Sequence, residues 1–260
     1  MKGRRSLIGL CLLCALAAGA IAAQGASAVT GTTAFTCKKT GKGDFTKAHC
    51  KSSDSGSGEY SEVEIPEGLQ TELKGTNANS GSNTTEAPVV KLKNSQAGVN
   101  YEIQVTEAHG EGWATNAKDT KTGEHYVHGA ATVTFTGVTI TQPAGKGCKI
   151  KEGKIESKPL IVTTKGQGDF VKFEPSGTEL ATYVIEGCTI EALNGAEPVT
   201  GTIKCPLDGA TVVCTHSETT ALGTFKGAGQ KTGIEGALTL SAKNPEKEEE
   251  FTPVAATTVE

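Results

Sequence analysis

The sequence predicts an all-β protein, an antiparallel sandwich or barrel stabilised by disulfides. No long segment carries apolar residues at helical spacing, whereas apolar and polar residues alternate along several Thr- and Val-rich runs, as in half-buried strands. Glycine, asparagine, aspartate and proline bound these runs, and the 33 glycines of the chain fit turns better than helices. Short strands separated by closely spaced turns are typical of sandwiches and barrels.

Two runs show the strand pattern most clearly. Along residues 99–107, alternate positions are apolar and would face the core, while the positions between them are polar. Along residues 131–141, Val133 and Phe135 alternate with threonine until Gly137 shifts the phase by one residue, which predicts a single strand with a β-bulge. The same reasoning predicts further strands at residues 89–93, 160–164, 170–174, 182–190, 199–204, 211–215, 220–226 and 234–242.

Polar stretches divide the chain. Residues 52–59 and 75–86 hold almost nothing to bury and are predicted to be loops. The second stretch would separate an N-terminal β-hairpin subdomain, residues 29–86, from a main all-β domain, residues 87–243. An acidic run then predicts an acidic C-terminal tail at residues 244–260.

The N-terminus has the three parts of a secretory signal peptide. Three basic residues among the first five precede an uncharged apolar segment at residues 7–23, and the small-residue cleavage sequence "ASA" ends at Ala28. An uncleaved membrane anchor is the alternative, but a segment of about 17 residues is at the short end for spanning a bilayer. The predicted signal peptide, residues 1–28, implies a secreted or cell-surface protein that does not insert into the membrane after cleavage.

The charge of the chain argues against a nucleic-acid partner. The formal net charge is −4, and loss of the signal peptide with its three basic residues would leave −7. Nucleic acids and anionic membrane surfaces are bound by basic fields, which this balance does not provide. The sequence identifies no partner; a cell-envelope polymer or a surface protein is the class that an exported binding protein would meet.

Six cysteines follow the signal peptide, and an even number in an exported chain predicts three disulfides. Zinc is the competing interpretation, but no two of these cysteines have the close spacing of a zinc site, so no metal is predicted. Several pairings are possible, and the pairing of neighbours along the chain closes the shortest loops. These pairs are Cys37–Cys50, Cys148–Cys188 and Cys205–Cys214, the last across a hairpin at Asp208-Gly209.

A seven-residue motif occurs twice, as "GKGDFTK" from Gly41 and as "GQGDFVK" from Gly166. A phosphate-binding loop would need a helix behind the glycines, and calcium would need more oxygen ligands than one aspartate per copy supplies. The motif is therefore interpreted as two copies of a glycine-rich turn, in which the aspartate closes the turn and the phenylalanine begins an inward-facing strand.

Residues 107–129 gather the residue types that most often form binding sites. They hold the single tryptophan of the chain and three of its five histidines, and residues 110–123 are predicted to be a loop longer than a hairpin needs. His125 and His128 would point to opposite faces of a regular strand, which disfavours a metal site. A tryptophan packed beneath the loop, with solvated histidines, is the structural alternative. The candidate ligand-binding residues, for a sugar or another polymer, are Trp113, His109, Tyr126 and His128.

Catalysis has little support in the sequence. No familiar catalytic or cofactor-binding motif is present, so no catalytic residue and no cofactor are predicted. Aromatic residues make up only 5% of the chain, which leaves few rings to line the substrate cleft of a glycosidase. An exported binding or structural protein without catalytic activity is therefore favoured. A secreted, glycan-directed hydrolase using carboxylates from separate strands is the alternative. Its candidate acids are Glu62, Glu64, Glu102, Glu186 and Glu191.

Four segments carry a resemblance to a known group of proteins. They are "AFTCKKTGKGDFTKAHC", "AGKGCKI", "GQGDFVKFEP" and "YVIEGCTIEALNG". Together they resemble a group of secreted, cysteine-containing, β-rich proteins of actinobacteria that have no assigned activity, and the resemblance extends over most of the chain after the signal peptide. It implies export and a disulfide-linked β fold, and it supplies no catalytic residue, substrate or partner.

Overall fold

The computed structural model describes residues 31–46, 53–77, 90–96, 99–167, 170–208, 211–214, 223–225, 231–243, 250–251 and 253–257. Its regular structure is almost entirely antiparallel β, which confirms the predicted all-β class. The strands are β1 (Thr32–Phe45), β2 (Ser53–Glu64), β3 (Thr71–Asn77), β4 (Val90–Gln96), β5 (Val99–Val105), β6 (Glu107–Lys118), β7 (His125–Thr136), β8 (Thr139–Gln142), β9 (Lys149–Ile150), β10 (Ile155–Glu156), β11 (Leu160–Thr163), β12 (Phe170–Pro175), β13 (Glu179–Glu186), β14 (Gly195–Thr200), β15 (Ile203–Asp208), β16 (Thr211–Cys214), β17 (Gly223–Phe225), β18 (Lys231–Lys243), β19 (Glu250–Phe251) and β20 (Pro253–Thr257). Two 3-10 helices, η1 (Lys151–Gly153) and η2 (Glu191–Leu193), complete the described part, where no helix is long and apolar enough to cross a membrane.

Eight strands close into an antiparallel barrel. Around the ring, β6 pairs with β7, β7 with β11, β11 with β12 and β12 with β15. The ring continues from β15 through β16 and β18 to β3, which pairs back onto β6. Every ring strand therefore has a neighbour on both sides, and closure removes the unpaired edges that an open sheet would expose.

A second, open sheet shares strand β18 with the barrel. Its order is β8–β5–β4–β18–β17–β14–β13–β9, with every pair antiparallel. The first residues of β18, from Lys231 to Glu235, pair with β17 and β4, whereas its later residues pair with β16 and β3. One long strand thus ties the two sheets together.

Gly137 marks another change of sheet, and there the predicted β-bulge is wrong. Strand β7 of the barrel ends at Thr136, and β8 of the second sheet begins at Thr139. Gly137 between them has a φ of 61°, and a Cβ at this position would lie 1.9 Å from the hydroxyl oxygen of Thr106. The phase shift in the sequence therefore comes from a glycine turn between two strands. A β-bulge within one strand would produce the same phase shift.

A three-stranded sheet, β2–β1–β20, adjoins one end of the barrel. The buried side chain of Asn116, on β6, joins the two. Its Nδ2 donates to the backbone oxygens of Ala34 (2.9 Å) and Ile65 (2.8 Å), and its Oδ1 accepts from the Ala34 N–H (2.8 Å). These three bonds satisfy the amide where water does not reach it.

The strand pairing departs from the predicted domain boundaries. Strand β3, which falls in the predicted N-terminal subdomain of residues 29–86, is a barrel strand between β6 and β18. Strands β19 and β20, in the predicted tail of residues 244–260, pair with β18 and β1. Residues 52–59, predicted to be a loop, enter strand β2 at Ser53. Polar composition misplaces these elements because backbone pairing orders a strand whether or not its side chains are apolar.

The two sheets enclose two different cores. The second core, between the open sheet and the ends of β6 and β7, contains Ile103, Ile185 and Leu193, each at most 2% exposed. The barrel core contains Val171, Cys205 and Val212. An apolar cavity of about 110 Å³ lies inside the barrel.

Two of the predicted disulfides are confirmed. Cys205–Cys214 joins opposite positions of β15 and β16, with Cα atoms 4.7 Å apart. Cys148–Cys188 joins the residue before β9 to the segment between β13 and η2, with Cα atoms 4.1 Å apart. Cys37 is disulfide-bonded as well. Cys50, its predicted partner, lies outside the described residues, so the Cys37–Cys50 pair stays a prediction.

The two copies of the glycine motif have different structures. The copy from Gly41 lies inside strand β1, where Gly41 has a φ of 77° and the register with β2 shifts. The copy from Gly166 follows the predicted order, since a turn there is followed by β12 beginning at Phe170. Phe170 is nevertheless 37% exposed, so the prediction of an inward-facing phenylalanine is wrong; the buried position belongs to Val171.

Candidate functional site

The segment predicted to be a long loop is a β-hairpin. Strands β6 and β7 pair in unbroken register from Glu107↔Thr136 to Lys118↔His125. The connecting loop comprises only residues 119–124, so the prediction of a loop at residues 110–123 is wrong. The strand escapes detection in the sequence because its inward positions are mostly glycine and alanine, which give little apolar alternation.

Asp119 fixes the short loop of this hairpin. Its Oδ1 accepts hydrogen bonds from the N–H groups of Lys121 (2.8 Å) and Thr122 (3.1 Å), and its Oδ2 lies 2.5 Å from the ammonium of Lys165. The bond to Lys165, followed by those two N–H donors, lowers the pKa of Asp119 from 3.8 to about 2. Asp119 in turn raises the pKa of Lys165. The loop is therefore tied to Lys165, two residues beyond the end of β11, by a pair that stays charged near neutral pH.

Two glycines set the position of Trp113 on the hairpin. A Cβ at Gly112 would lie 2.1 Å from the backbone oxygen of Ala130, and a Cβ at Gly129 would lie 1.9 Å from the backbone oxygen of Trp113. Only glycine permits approaches this close between backbones. The glycines therefore allow the local path of β6 and β7 from which the Trp113 side chain projects.

Three of the four predicted site residues lie together on the outside of the barrel. The ring centroids of Trp113 and His128 are 5.5 Å apart in an edge-to-face arrangement, and those of Tyr126 and His128 are 6.2 Å apart. Edge-to-face contact is favoured by the charge distribution of aromatic rings. All three residues are half-buried, so each keeps part of its surface accessible.

His109, the fourth predicted residue, lies apart from this group. It precedes Trp113 by four residues on β6, a distance of about 13 Å along a strand. Its Nε2 is 3.6 Å from Oε2 of Glu107, and both side chains are largely exposed. Within the described residues, no group of three or more side chains that could hold a metal ion is found.

Cross-strand register adds side chains that the sequence alone did not indicate. His128 is opposite Thr163 on β11, which is opposite Lys172 on β12. The neighbouring outward positions include Ile161 and Phe170, which are 45% and 37% exposed. We call this surface the outer face. It is made of Trp113, Tyr126, His128, Ile161, Lys165, Phe170, Lys172 and Lys204.

The lysines of the outer face lie against rings or carboxylates. The Nζ atom of Lys165 is 5.2 Å from the centroid of Tyr126, and that of Lys204 is 4.5 Å from the centroid of Phe170. Lys172 is 2.5 Å from Oε1 of Glu174 on the same strand. The face thus combines accessible rings with fixed hydrogen-bond donors, held on strands of a closed barrel.

Comparisons with known proteins add no relative from which a function could be transferred. No protein-family model matches the chain, and neither the curated proteins nor the solved structures provide a match. The geometry of the chain itself is therefore the basis for its functional interpretation.

Proposed function

We propose that the protein is exported and acts at the cell surface as a binding protein without catalytic activity, with the outer face as its contact surface. The supporting observation is the concentration of accessible rings and apolar side chains there. Four large apolar side chains are exposed in the part of the chain that the structure describes, and two of them, Ile161 and Phe170, lie on this face. They adjoin the group formed by Trp113, Tyr126 and His128. Exposed apolar patches bordered by polar groups are typical of interaction surfaces.

The composition of the outer face fits a polysaccharide of the cell envelope. Aromatic rings offer apolar faces against which the C–H groups of sugars can pack. The ion pairs Lys165–Asp119 and Lys172–Glu174 supply donors and acceptors for sugar hydroxyls. Because two of the three lysines are paired with carboxylates, the surface suits a neutral polymer better than a strongly anionic one.

The alternative function, a glycan-directed hydrolase, has less support. Glycosidases place two carboxyl groups roughly 5–9.5 Å apart on either side of the bond that is cleaved. Asp119 and Glu174, which border the outer face, are each engaged with a lysine. The acids considered for hydrolysis lie on other elements: Glu62 and Glu64 on β2, Glu102 on β5, Glu186 at the end of β13 and Glu191 in η2.

Export is supported by the signal-peptide pattern of residues 1–28 and by the disulfides. Disulfides persist in oxidising compartments and are rare in the cytosol. N-terminal sequencing of protein from the culture medium is expected to begin at Val29. A product that still begins at Met1 would contradict cleavage of the predicted signal peptide.

Co-sedimentation with peptidoglycan sacculi tests the proposed contact surface. Phe170→Ala and Ile161→Ala remove apolar area from the outer face without touching a buried core. Leu69→Ala is the matched control, because Leu69 is 46% exposed against 45% for Ile161 but lies outside the face. We expect the two face variants to bind at least tenfold more weakly than the wild type, and Leu69→Ala to bind like it. Equal binding by all four proteins would refute the outer face as the contact surface.

A further inference from the structure

The interior of the barrel is a second place where this chain could hold a ligand. The cavity of about 110 Å³ is bordered by residues of β3, β6, β7, β11, β12, β15 and β16, which are seven of the eight ring strands. It therefore lies inside the barrel, separated by the sheet from the outer face.

The cavity exists because one wall of the barrel lacks bulk. On β3, β6 and β7, the bordering residues include Gly75, Gly110, Ala114 and Ala131, whereas the facing strands contribute valine, leucine and phenylalanine. An eight-stranded barrel has an interior just wide enough for side chains to fill, or for one small ligand. Where glycine and alanine take inward positions of these three strands, side chains leave part of that interior free.

Among the bordering residues that the structure describes, the polar ones are already engaged or face solvent. Thr164 is 4% exposed, and its hydroxyl oxygen accepts a hydrogen bond from the Val127 N–H at 2.9 Å. Glu111, the second polar residue of this described set, is exposed to solvent. A buried water needs two to four polar partners, and a charged ligand would lose its hydration without compensation. The remaining walls therefore suit a neutral, apolar occupant.

Residues toward both ends of the barrel border the cavity. Ala34 and Ile65 border the cavity at the end where Asn116 holds the three-stranded sheet in place. Val133, farther along β7, borders the cavity and also packs against the second core. A cavity of about 110 Å³ is too small for a drug-sized ligand, since those occupy roughly 300–1,000 Å³.

We propose that the barrel interior binds one small neutral apolar molecule, of about the size of benzene. An engineered apolar cavity of about 150 Å³ stays dry and binds benzene or xenon, so a cavity of about 110 Å³ suits a molecule of that size or slightly smaller. Trp113 belongs to the outer face and also borders the cavity, so the test includes no substitution of Trp113. The site is otherwise separate from the polymer-binding surface proposed above.

Thermal unfolding of the mature protein with and without benzene tests this site. A ligand that binds only the folded state raises the melting temperature increasingly as its concentration exceeds the dissociation constant. Ala131→Leu fills the cavity and is expected to abolish the shift. Thr132→Leu adds the same side chain at the next position of β7, which is exposed, and is expected to keep it. Phe170→Ala, on the outer face, is also expected to keep it, which separates this site from the proposed contact surface.

No shift in the wild-type protein, or an equal shift in Ala131→Leu, would overturn the proposal. If Ala131→Leu does not unfold cooperatively, the Val162→Ala variant provides the test, because it enlarges the cavity from β11, the ring strand next to β7. The affinity for toluene relative to benzene is then expected to rise about fourfold, which is the change in affinity that burial of one additional CH₂ group produces. An unchanged ratio would equally overturn the proposal.

Discussion

The second core and the barrel interior are both lined by apolar side chains but differ in how fully side chains fill them. In the second core, Ile103, Ile185 and Leu193 are at most 2% exposed and pack within one contiguous cluster. In the barrel, Val212 is 2% exposed, yet a cavity of about 110 Å³ remains beside it. Burial of a residue therefore does not measure packing, because a side chain can be shielded from solvent and still lie beside space that no side chain fills.

Strand β6 contributes to both regions and shows the cause of the difference. Near its start, Ala108 is opposite Phe135, whose ring supplies the bulk that the alanine lacks. Farther along, Ala114 is opposite Gly129, so two small residues share one position of the barrel wall. The sequence thus determines which part of a continuous strand borders a packed core and which part borders a cavity.

The largest expected effect is truncation in the second core. Ile185→Ala is expected to lower the free energy of unfolding by about 3–5 kcal/mol, because it removes contacts on every side of a fully buried side chain. Ile203→Ala, at a half-buried position packed against the barrel core, is expected to lower it by about 1–3 kcal/mol. Urea unfolding of the two variants measures the difference, and equal losses would mean that the two regions are packed alike.

The next effect concerns two asparagines, one for each region. Asn116→Ala removes three hydrogen bonds between the barrel and the three-stranded sheet and is expected to cost about 2–4 kcal/mol. Asn194→Ala removes two, to the N–H and oxygen of Cys188 beside the second core, and is expected to cost about 1–3 kcal/mol. Calorimetry of both variants provides the measurement. A larger loss for Asn194→Ala would show that the barrel end does not depend on the Asn116 contacts.

The smallest effect is on the hairpin loop and depends on pH. The folded pKa of Asp119, about 2, lies below its usual 3.8, so the unfolded chain binds the proton more readily between these values. The stabilising contribution is therefore complete above about pH 4 and is lost as the pH falls through 2. Asp119→Asn is expected to be less stable than the wild type at pH 6 and to approach it near pH 2.

Lys165→Met checks this pH dependence from the other partner, because it removes the ammonium that contributes most to the shift. Its urea midpoint, compared with the wild type at pH 6 and pH 2, is expected to show the same convergence. A stability difference that stays constant over this range in both variants would contradict the assigned role of the ion pair.

Hydrophobic periodicity predicted the strands whose inward residues are large. Residues 99–105 alternate, residues 160–163 and 170–175 are rich in apolar residues, and all three segments form strands. It failed at residues 53–59 and 110–118, where glycine and polar residues occupy strands that pairing holds in place. The cavity was equally inaccessible to sequence analysis, because a run of small residues gives no signal until ring closure places it opposite bulky ones.

The candidate site shows the same division between local and long-range information. Trp113, Tyr126 and His128 come from one hairpin, so their proximity follows from residues close in the sequence. Lys165 and Phe170 join them only through the register of β7 with β11 and of β11 with β12. Ligand binding by the three hairpin residues and by His109 stays a prediction.

One matched pair of substitutions tests the contrast between the two regions most directly. Ala108→Leu adds bulk to the second core, where Ala108 is 1% exposed, and is expected to lower the free energy of unfolding by about 1–3 kcal/mol. Ala131→Leu adds the same bulk to the barrel cavity and is expected to leave the free energy of unfolding unchanged or to raise it. Urea unfolding of both variants against the wild type gives the comparison. A similar loss in both would contradict an interior with room for a ligand.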